Sequence, residues 1–423
     1  MPTRREHALL IVMLVATTSL SQFFRASTNV IAPRLITDLG LTPEMLGWAN
    51  ACFFLALLAV QIPVGILFDR IGARITVAAL AVLAVAGSLM HASVGNGQEL
   101  AAARFLLGVG HGGSFMATVF LVSRWYPRAR WSTALSWVFA FSMLGIAAAG
   151  TPLALLSDRI GWRASFVLVA ALSAAVGVLF LWLVRDDPPD APRRQKSRES
   201  LVEAVRGFAT ILRLPGLWRA LALQTMAYSV LATIMGLWAG PYLHDVHGFG
   251  PVERGNALIL MATAQTLGVL TFGPLDRLFD SRKRVAIGGA LATLTVLALL
   301  ALLPQPSPAV AVGLLALLAA VSAYGVVVVS HCRSFYPEHL AGRGATTGNM
   351  AQLLGCSVMP IVTGIIAGRF PVTATGYAPE AYHWIFGTIG VGLACGLVIY
   401  LTARDIRPSG IGDVQTGRAS ARN

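Results

Sequence analysis

Twelve apolar runs constrain this chain more than any other feature of it. They fall at 8–36, 44–68, 75–93, 99–123, 131–155, 164–184, 216–243, 253–275, 285–303, 308–331, 344–368 and 383–403. A helix that crosses a bilayer needs about 20 mostly apolar residues. The sequence is 56% hydrophobic and 12% charged, against about 25% charged in soluble domains. It reads as an all-α multi-pass membrane protein with no room for a separate soluble domain. The first run follows a short basic segment, Met1 to His7. It is too long for a signal h-region and carries no convincing cleavage site, so a retained first span is expected.

The net charge of +13 would suit nucleic acid if it formed one patch, but it follows alternate loops instead. With the N-terminus inside, cytoplasmic loops and tails hold 25 of the 32 Lys and Arg residues. External loops hold Arg34, Arg159, Arg163, Arg254 and Arg369, and Arg25 and Arg104 lie within spans. This positive-inside pattern places both termini in the cytoplasm and the chain in the cytoplasmic (inner) membrane. The four cysteines, Cys52, Cys332, Cys356 and Cys395, are isolated in or beside apolar runs. Their spacing suggests neither a disulfide framework nor a metal site.

The chain divides into an N-terminal six-span half (1–184), a linker (185–215), a C-terminal six-span half (216–405) and a tail (406–423). Prolines and charges in 185–199 leave little apolar surface to bury, so disorder is expected there. Ser200 and Glu203 are spaced as a capping box. They would open a short amphipathic helix running to about Leu212 along the inner membrane surface. The halves repeat. Pro33 matches Pro241, Gly47 matches Gly255, and Pro152 matches Pro360, all at an offset of 208. Asp69 matches Asp276 at 207 and Pro127 matches Pro337 at 210. Near-constant offsets argue for duplicated six-helix units.

Between the second and third runs stands Gly65-Ile-Leu-Phe-Asp69-Arg70-Ile-Gly72-Ala-Arg74. Gly65 permits close helix approach, and Gly72 gives a short turn its backbone freedom. Asp69 can accept from a helix N-terminus or an arginine. The string resembles the loop between helices 2 and 3 of the major facilitator superfamily. Asp276 and Arg277 stand in a degraded second copy that lacks the glycine. The resemblance implies twelve helices in two pseudo-symmetric six-helix bundles. It also implies a substrate site between the halves near the midplane, and gating by Gly65, Asp69, Arg70, Gly72, Arg74, Asp276 and Arg277. Span 4 carries Arg104-Phe-Leu-Leu-Gly108-Val-Gly110, which resembles a second motif of that superfamily. There the resemblance ties Arg104 to gating and proton coupling.

None of the 19 Asp and Glu residues lies mid-span. Arg25 does. A central arginine costs roughly 2.5–3.5 kcal/mol on insertion scales, and no mid-span carboxylate offsets it. Thr18, Gln22, Arg25 and Asn29 follow at steps of four, three and four, a polar stripe expected to face a water-filled cavity. An unpaired guanidinium there suits a carboxylate or phosphate, which it can grip with two parallel bonds. The competing reading bonds Arg25 to backbone carbonyls or the interface. The span also resembles the anion-handling branches of the superfamily, the organophosphate antiporters and anion–cation symporters. That resemblance makes Arg25 the anion residue. The second arginine that those antiporters carry in span 7 is missing, which points to a monoanion, a carboxylate or a zwitterion.

His111, near mid-span, can change charge near neutral pH and so either binds substrate or carries a proton, or it is a neutral packing residue. Tyr228, Trp238, Tyr324, Asn349 and Gln352 are candidate cavity residues from the second half. No nucleotide fingerprint, metal cluster or catalytic constellation appears, so neither a cofactor nor an enzyme is expected. The expected activity is secondary transport of a small organic anion or zwitterion by alternating access, ion-coupled or by exchange. The expected partners are a small-molecule substrate, a proton as one candidate coupling ion, and the lipid bilayer, with no nucleic acid and a monomeric chain. An exporter of neutral, drug-like compounds and a transporter-like membrane sensor are the alternatives.

Overall fold

A computed structural model describes residues 4–127, 130–188, 201–336, 341–373 and 376–406. The expected disorder of 189–199, Ser200 of the capping box, Arg128, Pro337 and most of the tail lie outside these residues. The helices run α1 (Arg4–Leu39), α2 (Pro43–Ala59), α3 (Gln61–Ile71), α4 (Ala73–Ser93), α5 (Gly97–His111) and α6 (Ser114–Trp125). They continue as α7 (Trp131–Ala149), α8 (Thr151–Leu183), α9 (Leu201–Leu212), α10 (Leu217–Thr233) and α11 (Ala239–His247). The last are α12 (Pro251–Leu278), α13 (Arg282–Leu302), α14 (Pro308–Val321), α15 (Gly325–Arg333), α16 (Ala341–Ala367) and α17 (Pro379–Leu401). A short antiparallel pair, β1 (Val372–Thr373) and β2 (Gly376–Tyr377), precedes α17.

Several spans are broken. Span 2 bends by 42° between α2 and α3, and span 4 breaks at Gly112 and Gly113 between α5 and α6. Span 7 joins α10 to α11 through a π-helical turn, Ile234–Trp238. Among the described residues, ten segments are long and apolar enough to cross a membrane, or eleven when the bent α2–α3 pair counts as one. One segment, Thr133–Leu183, has 51 residues, about 76 Å of helix against a hydrocarbon core of about 30 Å. Gly161, at φ 81°, turns it back on itself, so it makes two crossings and the total is twelve. The fold is an all-α bundle of twelve spans in two six-helix sets.

The sets meet at the ends that the charge pattern assigns to the exterior, called outer here. α2 packs on α16, where a Cβ on Gly47 would collide with the Pro360 carbonyl. α8 packs on α12, where a Cβ on Gly255 would collide with the Thr151 backbone, and Thr151 donates to Asn256 Oδ1 at 2.6 Å. α1 packs on α11, where the Gly240 amide donates to Asn29 Oδ1. Only residues without side chains let backbones approach so closely. The repeat now has a physical meaning. Gly47 meets Pro360 in one seam, and Gly255 meets the residue before Pro152 in its counterpart. Among the described glycines, no equally close approach joins the two sets at the inner ends, so the molecule is closed on the outer side.

At the inner ends the return of spans 6 and 12 is also duplicated. Asp186 Oδ1 accepts from the Arg74 amide at 2.8 Å, and Asp405 Oδ1 accepts from the Lys283 amide at 3.3 Å. Arg74 Nε donates to the Leu181 carbonyl at 2.5 Å, and Lys283 Nζ to the Leu401 carbonyl at 2.7 Å. Each carboxylate sits at a helix N-terminus, where the peptide dipoles favour negative charge. The N-caps of those helices are Gly72, at φ 92°, and Ser281, whose Oγ accepts from the Arg284 amide at 3.1 Å. The helical part of span 6 ends at Leu183, and the first residues of the expected linker pack against span 4. Arg124 Nη1 donates to Asp187 Oδ1 at 2.8 Å and Trp125 Nε1 to the Arg185 carbonyl at 2.9 Å. α9 takes the place expected of the short amphipathic helix and packs against α3 and α16.

Candidate functional site

A cavity of about 110 Å³ lies midway along the bundle, lined by residues of α1, α2, α7, α10, α12 and the π-helical turn. Its polar lining is Gln22 and Arg25 from α1, Tyr228 from α10 and Gln265 from α12. Phe54, Met143, Ile146, Leu231 and Met235 give it apolar walls. The π-helical turn supplies Met235 and Gly236, and a Cβ on Gly236 would lie 3.0 Å from the Arg25 carbonyl oxygen. Backbone contact there brings spans 1 and 7 together at the depth of the cavity. One-turn π-bulges of this kind recur at functional sites.

Arg25 is half-buried and under-partnered. Its Nη1 donates to the Tyr228 hydroxyl at 3.4 Å, near the long limit for a hydrogen bond. Its Nε is closed off from solvent and has no partner. The guanidinium carbon stands 5.8 Å from the Phe54 ring centroid, a distance at which the ring face still attracts a cation. No carboxylate among the described residues pairs with it. An arginine presents five donors in a planar fork, and here most of that capacity is unused and faces open space. The chemistry available is the grip of a planar or tetrahedral oxyanion.

Arg104 fixes the height of this group. It is 1% exposed, donating through Nη1 to the Phe24 carbonyl and through Nη2 to Asn50 Oδ1, both at 2.8 Å. It thus ties spans 1, 2 and 4 together one residue before Arg25. Gly145 helps from the other side, because a Cβ there would strike the Ser19 carbonyl, and α7 lies directly on α1.

The other candidates are more scattered. Of the expected polar stripe, Gln22 and Arg25 reach the cavity, whereas Thr18 bonds to Leu14 and Thr118 and Asn29 to Gly240. Trp238 is fully buried toward the outer seam and donates to Thr363 Oγ1 at 2.8 Å. Tyr324 is fully buried against Gly289, its hydroxyl without a partner. Asn349 and Gln352 are half-buried on α16 and are not part of the cavity lining. The His111 ring lies tilted against Phe24, 4.9 Å between centroids, and borders a separate space of about 30 Å³ with Thr17, Ser114 and Ser173, room for one water.

In the inner loops, Gly65 lies against Met116 of its own half, and Asp69 and Arg70 are exposed. Asp69 has no hydrogen bond or ion pair among the described residues, so the carboxylate expected at a helix N-terminus is supplied by Asp186 instead. Asp276 pairs with Arg282 Nε at 3.2 Å, and Arg277 is exposed.

Sequence reasoning missed Gln265, Phe54 and the two cavity methionines. Gln265 left a readable trace as a lone amide within a mostly apolar run, while the apolar residues left none.

The family model described as Major Facilitator Superfamily matches residues 14–360. A probable sulfoacetate transporter of Cupriavidus necator is 23% identical over 389 residues, 89% of each chain. A gentisate transporter of Corynebacterium glutamicum is 26% identical over 394 residues, 88% of this chain and 83% of its own. Among solved structures, a bacterial homolog of the human lysosomal transporter Spinster, inward-facing and unoccupied, superposes with a TM-score of 0.73. It shares 16% identity and is covered to 96%, against 95% of this chain. With twelve spans in two six-helix sets and a cavity between them, the chain belongs to the Major Facilitator Superfamily.

Proposed function

We propose that the protein is a secondary transporter of a small organic anion, with Arg25 as the group that binds the anionic end. The carrying observation is the half-buried, under-partnered guanidinium in a cavity between the halves. Relatives whose names give sulfoacetate and gentisate as cargo support the same class. The cargo carries a carboxylate or sulfonate against Arg25, Gln22 and Tyr228. Its body is small and rests on Phe54, Met143, Ile146 and Met235. Rocking of the two sets about this site exposes it to each side in turn, driven by an ion gradient or by exchange. The N- and C-terminal halves expected from the sequence are the rocking units, with both termini in the cytoplasm.

The apolar walls favour one alternative, an exporter of uncharged compounds in which Arg25 is structural. A thermal-shift panel on the purified protein separates the two. Sulfoacetate, gentisate, phosphate esters, amino acids and uncharged drug-like compounds would be compared on wild type and Arg25→Lys. A ligand at 100 times its Kd stabilises by about 2.7 kcal/mol. Stabilisation by one anion class, weakened in the variant, supports the proposal. Stabilisation by uncharged compounds alone, equal in both proteins, transfers the site to the exporter reading.

A further inference from the structure

Arg254 stands in the first turn of α12, at the outer seam, and is 3% exposed. Its Nε and Nη1 are closed off and have no hydrogen-bond partner. Its charged neighbours are Arg34, Asp245 and Asp158. Both carboxylates are already engaged. Asp245 accepts from the Tyr382 hydroxyl at 2.5 Å, the Tyr377 amide at 2.9 Å and His244 Nδ1 at 2.7 Å. Asp158 is paired with Arg34. Among the described residues no acid lies within ion-pair distance of Arg254. The cation also sits at the end of a 28-residue helix where the dipole disfavours positive charge. A buried, uncompensated charge destabilises the closed state, so this position is costly unless the charge is used in another state.

The location indicates that use. The next residues, Gly255 and Asn256, form the α8–α12 seam with Thr151, so separation of the sets there uncovers Arg254. Along α12, Arg254, Leu258, Met261 and Gln265 follow at steps of four, three and four, one face of the helix. The first three are buried and Gln265 lines the central cavity. Arg254 is therefore about 16 Å above the cavity on the same face.

We propose that Arg254 is an outer anion-binding station. When the outer seam parts, the Arg254 guanidinium pairs with the carboxylate or sulfonate of an anion entering or leaving, one stop before Arg25. The station rests on the reading that the cargo is an anion.

The test uses charged thiol reagents and needs no identified substrate. Cys52, Cys332, Cys356 and Cys395 are replaced by Ser, and Asn256→Cys places one thiol beside Arg254. Proteoliposomes are labelled from outside with an anionic sulfonatoethyl and a cationic trimethylammonioethyl methanethiosulfonate. The ratio of the two rates reads the local charge. The expected result is a ratio that favours the anionic reagent and falls about tenfold with Arg254→Gln. Arg254→Lys should keep most of it, and added sulfate should slow the anionic reagent selectively. Arg25→Gln should leave the ratio unchanged, so failure at the centre and failure at the mouth are distinguishable. A ratio indifferent to Arg254, a ratio that follows Arg25 instead, or no reaction with either reagent would each overturn the proposal. If Arg254→Gln unfolds, the Lys variant and the sulfate competition still decide it.

Discussion

Arg104 Nη1 donates to the Phe24 carbonyl at 2.8 Å, one residue before the arginine that faces the cavity. The same guanidinium holds Asn50 of span 2 and lies 5.0 Å from the Phe53 ring centroid. The family resemblance suggested gating and proton coupling for Arg104. Its contacts make it the residue that sets the height of span 1, and with it the placement of Arg25.

Arg104→Ala would leave the buried Asn50 Oδ1 without a donor, at about 1–3 kcal/mol, and would leave the Phe24 carbonyl only the longer side-chain bond from Ser27 Oγ at 3.4 Å. A marked fall in the thermal midpoint in detergent is expected. Arg104→Lys should recover only part of it, because an ammonium cannot reproduce the two-pronged geometry. An unchanged midpoint in Arg104→Ala would contradict the clamp.

Tyr228→Phe removes the hydroxyl that receives Arg25 at 3.4 Å. That bond is long and weak, so the expected loss of stability is below about 1 kcal/mol. Anion affinity should fall by no more than about tenfold, measured by titration. A larger loss would mean that Tyr228, and not Arg25, carries most of the binding.

Gly255→Leu and Gly47→Leu should each prevent the outer ends from closing, since a side chain at either position meets backbone. The check is labelling of a thiol placed at the outer seam, which should quicken several-fold while transport falls. Labelling at the wild-type rate would mean that the seam is not held by these close approaches.

Asp186→Ala and Asp405→Ala should each cost about 0.5–2 kcal/mol, the scale of a helix N-cap. The two sites cap different helices in different halves, so the double variant should equal the sum within about 0.5 kcal/mol. Chemical denaturation would show a strong departure from additivity if the two ends were coupled.

The twelve spans were legible because each is a continuous apolar run, and the turn at Gly161 falls in the gap between the runs 131–155 and 164–184. The duplicated halves were legible as repeated offsets, but their purpose was not. That Gly47 meets Pro360 and Gly255 meets Thr151 depends on how two sets of helices cross. Arg25 stood out because a charge in an apolar run is rare. Thr18 and Asn29 share its face yet miss the cavity, because a 36-residue helix has a different neighbour at each depth. Asp186 and Asp405 follow spans 6 and 12 in charged stretches that read as solvated. Only the return of those spans to the starts of α4 and α13 gives them a partner. The π-helical turn at Ile234–Trp238 had no sequence signal, since its residues are those of an ordinary apolar helix.

In the proposed cycle Arg25 binds an anion during transport. This is tested most directly by counterflow in proteoliposomes, using whichever labelled anion stabilises the purified wild type most. Loss of a charge-assisted hydrogen-bonded contact is worth about 1.5–3 kcal/mol, or roughly a ten- to 150-fold change in affinity. A KM raised by that factor is expected in Arg25→Gln, with partial recovery in Arg25→Lys. A KM for the anion that is the same in wild type and Arg25→Gln would contradict it.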